Sequence, residues 1–386
     1  MTSAKTDAAV GTRLDDLVAA TPATRDRYVD FLRAASITVV VLGHWLSAVA
    51  EWKDGGLSVI NVIGLVPGLW AATWLLQVMP IFFFVGGFSN STSVAGVLRR
   101  GELVVSFLRT RLIRLLKPTA VFIGAWLVLL VALHLAGALK PAYVRSTAVL
   151  RGPLWFLVVY LVITELTPVM RVLHLRFGVV VVGVMALLAV GMDVLRFSLR
   201  FPAAGWANIA FVWLLAHQLG FFYADGTLVR VRRRGHLAIA LGGLVGLLLL
   251  THVGAYPKTM VSTGFERVSN VFPPTVCLMF MTFWLVGAAM YLRGWVIRWL
   301  ARPGPWRTVV AANSVIMTMY LWHITAYVAT FGLLALVGFA GSAPGSARWW
   351  LERSIWLVGP GLLLALLIVV FGRFERPTLR PRALAR

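Results

Sequence analysis

The sequence is poor in acidic residues and almost free of cysteine. Its 386 residues include 14 Asp and Glu against 36 Lys and Arg, which gives a formal net charge of +22, while charged residues of both signs make up only 13%. So low a charge content is not typical of a soluble protein, and 60% of the residues are hydrophobic. The single cysteine, Cys277, excludes an intrachain disulfide and a metal site built from cysteines.

Long polar segments are also missing. The leader of residues 1–28 and the basic tail of residues 373–386 are too short to form a core, and the mean hydropathy is +0.85. We therefore predict an all-α polytopic membrane protein with a membrane domain over residues 29–372. Ala48-Val49-Ala50 is similar to a signal-peptidase site, but Arg33 and His44 interrupt the apolar stretch before it, which favours an uncleaved first span.

Apolar runs bounded by charge, glycine and proline predict about ten transmembrane helices. They lie at residues 29–50, 73–97, 116–138, 153–174, 177–195, 205–223, 236–253, 271–292, 309–338 and 352–372. The stretch of residues 57–72 is apolar too, but Gly64, Pro67 and Gly68 interrupt it. We expect a re-entrant or surface segment there.

The basic residues predict the orientation of the chain. With ten spans both termini lie on one side, and 26 of the 36 Lys and Arg residues fall on that side. By the positive-inside rule both termini are expected in the cytoplasm, with the protein in the plasma (inner) membrane. Because these residues form short clusters between apolar runs, we expect the lipid bilayer as their partner and no nucleic acid.

The first span carries the sharpest functional signal, Arg33 and His44. At about 100° per residue the eleven steps between them rotate by about 1100°, so both side chains share one helix face, about 16 Å apart along the axis. Such a face offers a phosphate-binding cation near the cytoplasm and a proton acceptor deeper in the membrane. Asp30, three residues before Arg33, is expected to orient the guanidinium. The alternative is an arginine that reaches the lipid headgroups and a hydrogen-bonded core histidine.

Two further segments contain candidate binding residues. In the segment from Met79 to Phe88, Pro80 and the Gly86-Gly87 pair weaken the helix, and aromatic residues such as Phe84 could line an apolar tunnel, although ordinary helix packing would also explain them. Downstream lies a basic patch able to hold phosphates or pyrophosphate, with lipid headgroups as the alternative ligand. Its residues are Arg111, Arg114 and Lys117, with Pro118 on the same face as the two arginines.

The remaining pocket candidates are Glu165 and His323, two titratable residues inside predicted spans. No two histidines lie three or four residues apart, so we expect no metal ion.

Several of these motifs occur together in a known family. The chain resembles the acyltransferase-3 family of integral membrane acyltransferases, and the resemblance covers nearly the whole sequence. It rests on Arg33-x10-His44, Phe82-Phe83-Phe84-Val85-Gly86-Gly87-Phe88, Arg111-x-x-Arg114-x-x-x-Pro118, Trp155-Phe156-Leu157 and Tyr320-Leu321-Trp322-His323. The stretch from Tyr256-Pro257-Lys258 to Pro273-Pro274-Thr275 looks like a branch from high-GC Gram-positive bacteria.

The resemblance implies about ten helices and transfer of an acyl group, often acetyl, from cytoplasmic acyl-CoA to a hydroxyl of an envelope glycan or glycolipid. It also implies essential roles for Arg33 and His44, with Arg111 and Arg114 important. We expect acetyl-CoA as the donor, with succinyl or a longer chain left open, and an acceptor such as a trehalose mycolate or an arabinan. No oligomeric state follows from the residues.

The mechanism expected from these residues is thioester transfer past His44. The basic residues would bind the phosphates of the donor and His44 would act as general base, with an acyl-histidine as a second route and His323 as a candidate donor to the oxyanion. The rival hypothesis is a transporter or exporter of an anionic or glycolipid substrate, because buried cations and broken helices also build transport sites. A structural membrane subunit would leave the Arg33 and His44 pair unexplained.

Overall fold

The protein is a bundle of long apolar helices. The computed structural model describes residues 15–22, 24–53, 56–139, 141, 144, 147, 151–254, 256–264, 266–339 and 341–375. Within these residues nine helices are long and apolar enough to cross a membrane, or ten if one bent pair counts as a single span. The predicted all-α polytopic membrane fold is confirmed. Of the predicted leader and basic tail, residues 1–14 and 376–386 lie outside the described residues.

The long helices follow one another with short connections. In chain order the elements are α1 (Arg27–Ser47), β1 (Ala48–Lys53), β2 (Gly56–Asn61), α2 (Trp70–Leu76), α3 (Met79–Arg99), α4 (Val104–Leu135), α5 (Arg151–Glu165), α6 (Thr167–Phe177), α7 (Val180–Phe197), α8 (Ala204–Ala224), α9 (Thr227–Arg230), α10 (Arg233–His252), α11 (Val276–Leu300), α12 (Pro303–Asn313), α13 (Ile316–Leu336), α14 (Ala347–Glu352) and α15 (Ile355–Phe371).

Helix α1 is one unbroken helix that carries both predicted catalytic residues. Asp26 caps its start, because the carboxylate accepts hydrogen bonds from the backbone N–H groups of Tyr28 and Val29. The helix continues without interruption to Ser47. Arg33 and His44 therefore keep the helical spacing that places them on one face.

The first span ends three residues earlier than predicted, because a hairpin follows it. Strand β1 pairs antiparallel with β2, with Ala48 opposite Asn61 and Lys53 opposite Gly56. The sequence between the strands, Asp54-Gly55, is typical of two-residue hairpin turns, a signal that the apolar-run prediction did not use. Residues 57–72 form β2, a short 3-10 turn at Val62–Gly64 and the start of α2, so this segment is not a separate span.

Three other predicted spans have different boundaries. The span expected at 116–138 begins at Val104, because the basic residues before Pro118 belong to the same helix. The span expected at 153–174 is two helices, α5 and α6, bent by 51°. The span expected at 309–338 is divided into α12 and α13. The backbone N–H groups of Met317 and Thr318 at this new helix start donate to the Glu375 carboxylate.

Several helix ends meet at one end of the bundle. Arg27 at the start of α1 donates to the carbonyl of Leu300 at the end of α11 (3.3 Å). The Tyr223 hydroxyl at the end of α8 donates to Asp26 (2.8 Å), and Glu375 after α15 binds the start of α13. We call this end, which contains the start of α1, the ends of α8 and α11 and the start of α13, the basic end of the bundle. The start of α1 and the end of α15 thus lie at the same end of the bundle, as the charge pattern predicts.

The helices α3 and α8 cross at backbone contact distance. A Cβ on Gly87 would lie 1.8 Å from the carbonyl oxygen of His217, and a Cβ on Gly220 would lie 2.1 Å from the carbonyl oxygen of Phe84. Only glycine at both positions permits this approach. The crossing fixes α3 in the core of the bundle, next to α1.

Candidate active site

The Arg33 guanidinium lies at the basic end and is held by two side chains. Its Nη1 donates to Asp30 Oδ1 (3.0 Å) and its Nη2 to Ser89 Oγ of α3 (2.6 Å). Asp30 is buried and also pairs with Arg25. One carboxylate is thus shared by two guanidiniums, which leaves net positive charge around Arg33.

Arg111 of α4 reaches the same turn of α3. Its Nη2 donates to the carbonyl oxygen of Ser89 (2.7 Å) and to Ser93 Oγ (2.6 Å). Both acceptors are uncharged, and within the described residues Arg111 forms no ion pair with a carboxylate. A guanidinium that is held in place but not neutralised is suited to binding an anion.

Arg33, Arg111 and Arg114 line one cavity between α1, α3, α4, α5 and α13. The cavity contains about 770 Å³ of empty space, its open part included. Away from the arginines its walls are apolar and aromatic: Ile37, Phe82, Val85, Gly86, Leu115, Phe156, Leu157, Ile316, Met317 and Tyr320. The cavity therefore combines a cationic region with an apolar one, as a site for an anionic ligand with an apolar arm requires.

His44 pairs with His323 of α13. The His44 Nδ1 and His323 Nε2 atoms lie 2.9 Å apart, and the rings stack with centroids 5.0 Å apart. The His323 Nδ1 lies 2.6 Å from the carbonyl oxygen of Tyr320. The Trp45 indole in turn donates to the His323 carbonyl oxygen (2.9 Å), which ties α1 to α13 beside the two rings.

These contacts assign the tautomers of both rings. A carbonyl oxygen can only accept, so His323 carries its proton on Nδ1, and its Nε2 is an acceptor when the ring is neutral. His44 must then donate from Nδ1, which leaves the lone pair of a neutral His44 on Nε2. His323 thus orients His44, and with both ring nitrogens engaged it has no free donor for an oxyanion.

The His44 side chain is exposed, and it lies against His323, which is fully buried in the bundle. His44 itself does not line the cavity of the arginines; Tyr320 does, and its ring lies 6.0 Å from that of His323. Tyr320 thus lies between the cationic region and the histidine pair.

The other predicted site residues lie outside this cavity. Lys117 is exposed on α4. Phe84 is fully buried and faces α8, with its ring 5.7 Å from that of Tyr223. Glu165 ends α5 at the bend toward α6, and its buried Oε1 has no hydrogen-bond partner among the residues that the structure describes. Neighbouring Phe82 and Phe156 line the cavity instead.

Three residues at the site were not singled out from the sequence. Ser89 binds both arginines, Tyr160 lines the cavity, and Glu375 caps the helix that carries His323. Ser89 lies three residues after Gly86 and seven after Phe82, so the helical period could have placed it on the face of Gly86 and Phe82. Among the described residues, no group of three or more His, Cys, Asp and Glu side chains could hold a metal ion.

The fold and the site together define the class. The protein is a multi-pass helical membrane protein that has an oriented histidine pair and a cation-lined cavity between its helices. The chain belongs to the acyltransferase-3 family, whose family model, described as an acyltransferase domain, matches residues 26–373. It is therefore a membrane acyltransferase. No curated protein and no solved structure matches the chain.

Proposed function

We propose that the protein transfers an acyl group, expected to be acetyl, from cytoplasmic acyl-CoA to a hydroxyl of an envelope glycan or glycolipid. The acceptor class includes trehalose mycolates and arabinans, which fits the high-GC Gram-positive branch that the sequence resembles. The membrane is the plasma membrane, and the basic end of the bundle faces the cytoplasm. The membership of an acyltransferase family is the starting point, and the geometry of the site supports the further steps.

The observation that carries the proposal is the orientation of His44. The chain of contacts from the Tyr320 carbonyl through His323 to His44 leaves the lone pair of His44 Nε2 unused. The His323 ring orients the His44 ring and stabilises the imidazolium that forms when His44 takes a proton. A positioned imidazole of this kind is what a general base for a hydroxyl nucleophile requires.

The reaction then balances with His44 as both base and acid. His44 Nε2 takes the proton of the acceptor hydroxyl while the hydroxyl oxygen attacks the thioester carbonyl carbon. The tetrahedral intermediate collapses, the carbon–sulfur bond breaks, and the leaving thiolate receives the proton from His44 Nε2. The products are the acyl ester and free coenzyme A, and His44 returns to its neutral state.

The donor phosphates bind to the arginines at the basic end. Arg33 and Arg111 are fixed by Ser89, and Arg114 is exposed beside them. Guanidiniums bind phosphoryl oxygens in bidentate geometry, which suits a pyrophosphate. The apolar arm of the donor would then extend along Ile37 and Tyr320 toward His44, and the acceptor would arrive from the opposite end. Lys117 lies one helical turn farther along α4, outside the cavity, and is proposed as a peripheral contact of the donor.

A transporter of an anionic or glycolipid substrate is the competing function. The two differ in chemistry, because an acyltransferase consumes a thioester and yields an acylated product, whereas a transporter moves its substrate unchanged. The coupled histidines favour the acyltransferase, because transport of an anion does not require an oriented base.

The test is acyl transfer from radiolabelled acetyl-CoA in membranes that contain the protein. We expect His44→Ala to abolish transfer to the lipid and glycan fraction, and His134→Ala, at the exposed last turn of α4, to leave it unchanged. Mass spectrometry of the envelope with and without the protein then identifies the acceptor by the mass of one acyl group. Full activity of His44→Ala at normal protein levels would defeat the mechanism, and unchanged envelope masses would defeat the acyltransferase function.

A further inference from the structure

Tyr160 of α5 lines the cavity together with the two fixed arginines. Its hydroxyl is close enough to the Arg33 and Arg111 guanidiniums to interact electrostatically with both. Within the described part of the chain, no hydrogen bond to this hydroxyl is formed, although the ring itself is well packed. The cavity thus contains an O–H donor that the protein does not use for its own structure.

The position of the hydroxyl is set by its surroundings. The Tyr160 ring packs against the rings of Phe82, Phe83 and Phe156, with centroids 5.6 to 6.0 Å apart. On α3, a Cβ at Gly86 would lie 2.9 Å from Tyr160 Cε2 and 3.1 Å from its hydroxyl oxygen. The absence of a side chain at Gly86 is therefore what admits the ring. Three aromatic neighbours and one glycine thus fix the Tyr160 ring in the wall of the cavity that Arg33 and Arg111 also line.

We propose that the Tyr160 hydroxyl donates a hydrogen bond to the phosphoryl group that Arg33 and Arg111 bind. The two guanidiniums supply charge, and a neutral O–H in the same cavity adds a third, directional donor to an oxygen of the same group. This inference rests on the proposed function, because it takes the phosphoryl group to belong to coenzyme A. A phospholipid headgroup offers the same phosphoryl oxygens, so the experiment must separate the two sources.

Binding of coenzyme A to the full chain in phosphatidylcholine nanodiscs, measured by calorimetry, tests the role of the hydroxyl. A hydrogen bond to a charged group is worth enough that Tyr160→Phe is expected to raise the Kd about tenfold. Tyr291→Phe is the matched control, because Tyr291 stacks with Arg233 on α10 and does not line the cavity. In turnover assays Tyr160→Phe should raise the KM for the donor and leave kcat nearly unchanged.

Gly86→Ala tests whether the glycine acts through the tyrosine. The added Cβ should displace the Tyr160 ring and weaken coenzyme A binding, whereas Gly96→Ala on the same helix should not, because its Cβ would approach only Arg100, at 3.5 Å. In the Tyr160→Phe background Gly86→Ala should cause no further loss of affinity, since the hydroxyl it misplaces is already absent. Melting temperatures within a few degrees of the wild type, about the shift that 1 kcal/mol produces, would show that the variants fold.

The outcomes separate this inference from the proposed function. If the wild type binds coenzyme A and Tyr160→Phe binds it equally well, the role of Tyr160 is disproved and the donor assignment stands. If the wild type does not bind coenzyme A, the donor assignment fails, and inorganic pyrophosphate and phosphatidylglycerol nanodiscs become the probes. If either probe stabilises the wild type thermally and Tyr160→Phe loses this stabilisation, a phosphoryl site is supported. If neither probe stabilises the wild type, or if the wild type and Tyr160→Phe are stabilised equally, the inference is overturned.

Discussion

His44 Nδ1 and His323 Nε2 lie 2.9 Å apart, although the two residues are 279 positions apart in the chain. This contact orients the ring on α1 by means of a ring on α13. Because the second nitrogen of His323 is bound to the Tyr320 carbonyl, the relation has a direction: proton on His44 Nδ1, lone pair on His44 Nε2. His323 is a positioning residue that acts through His44.

Removal of the His323 acceptor should lower the rate and not the affinity for the donor. In His323→Ala the His44 ring can rotate and adopt either tautomer, and we expect kcat to fall by about 100-fold, within the usual range for a general base, with KM for the donor unchanged. His323→Gln should recover part of the loss, because a side-chain carbonyl can accept from His44 Nδ1. Steady-state kinetics on both variants check this, and equal losses in the two would show that only packing is at stake.

Arg111 should contribute to donor binding and little to the chemical step. Arg111→Gln removes a guanidinium fixed by Ser89 and Ser93, and we expect the KM for the donor to rise about tenfold or more with kcat nearly constant. Arg111→Lys should restore little, since an ammonium does not reproduce the planar fork. Arg109→Gln, an exposed neighbour on the same helix, is the control. A lowered kcat with an unchanged KM would contradict this assignment.

The sequence was sufficient for the parts of the site that lie on one helix. The spacing of Arg33 and His44 depends only on the helical period, and Asp30 lies within one turn of Arg33, where the structure places its carboxylate against the guanidinium. Such relations survive any arrangement of the other helices. The same holds for the number of spans, since bilayer thickness sets the length of an apolar run.

Contacts between distant helices could not be read from the sequence. Nothing local indicates that His323 meets His44, or that Phe84 faces α8 while Phe82 faces the cavity, because the rotation of α3 is set by its crossing with α8 at Gly87. The hairpin after α1 was missed for another reason. Its first strand begins within the apolar stretch that is predicted as the end of a span, and the sequence signal for a hairpin is the Asp54-Gly55 pair.

Glu375 should make the stability of the protein depend on pH in a defined direction. Burial raises the pKa of the Glu375 carboxyl above its ordinary value of 4.5, despite hydrogen bonds from Met317 and Thr318 that lower it. An acid with a raised pKa in the folded state stabilises when protonated, and this contribution is lost as the pH rises through the folded-state pKa. The melting temperature of the wild type relative to Glu375→Gln is therefore expected to rise as the pH is lowered from about 7 to about 5.

Glu102 provides a control of opposite sign in the loop between α3 and α4. Hydrogen bonds from Arg100 and Ser106 lower the pKa of the Glu102 carboxyl, so its contribution is present above the ordinary pKa and is lost as the pH falls through the folded-state pKa. From about pH 7 to about pH 5 the wild-type advantage over Glu102→Gln should therefore stay nearly constant, because both the ordinary and the lowered pKa lie below this range; the advantage is also small because the pair is exposed. Melting curves of the three proteins across this range decide the matter; parallel shifts in both variants would refute the burial argument for Glu375.

The crossing of α3 and α8 should tolerate no side chain at Gly87. A Cβ there would lie 1.8 Å from the His217 carbonyl oxygen, which is backbone and cannot rotate away, so the helices must separate. We expect Gly87→Ala to lower the free energy of unfolding by about 1–3 kcal/mol or more and to reduce the folded yield. It should also weaken donor binding, because Ser89 lies on the same turn and holds both arginines.

Gly124→Ala on α4, where the new Cβ would meet nothing within 4 Å, is the control. Thermal denaturation in detergent with size-exclusion chromatography measures both, and a Gly87→Ala protein as stable as Gly124→Ala would show that the two helices are not in backbone contact.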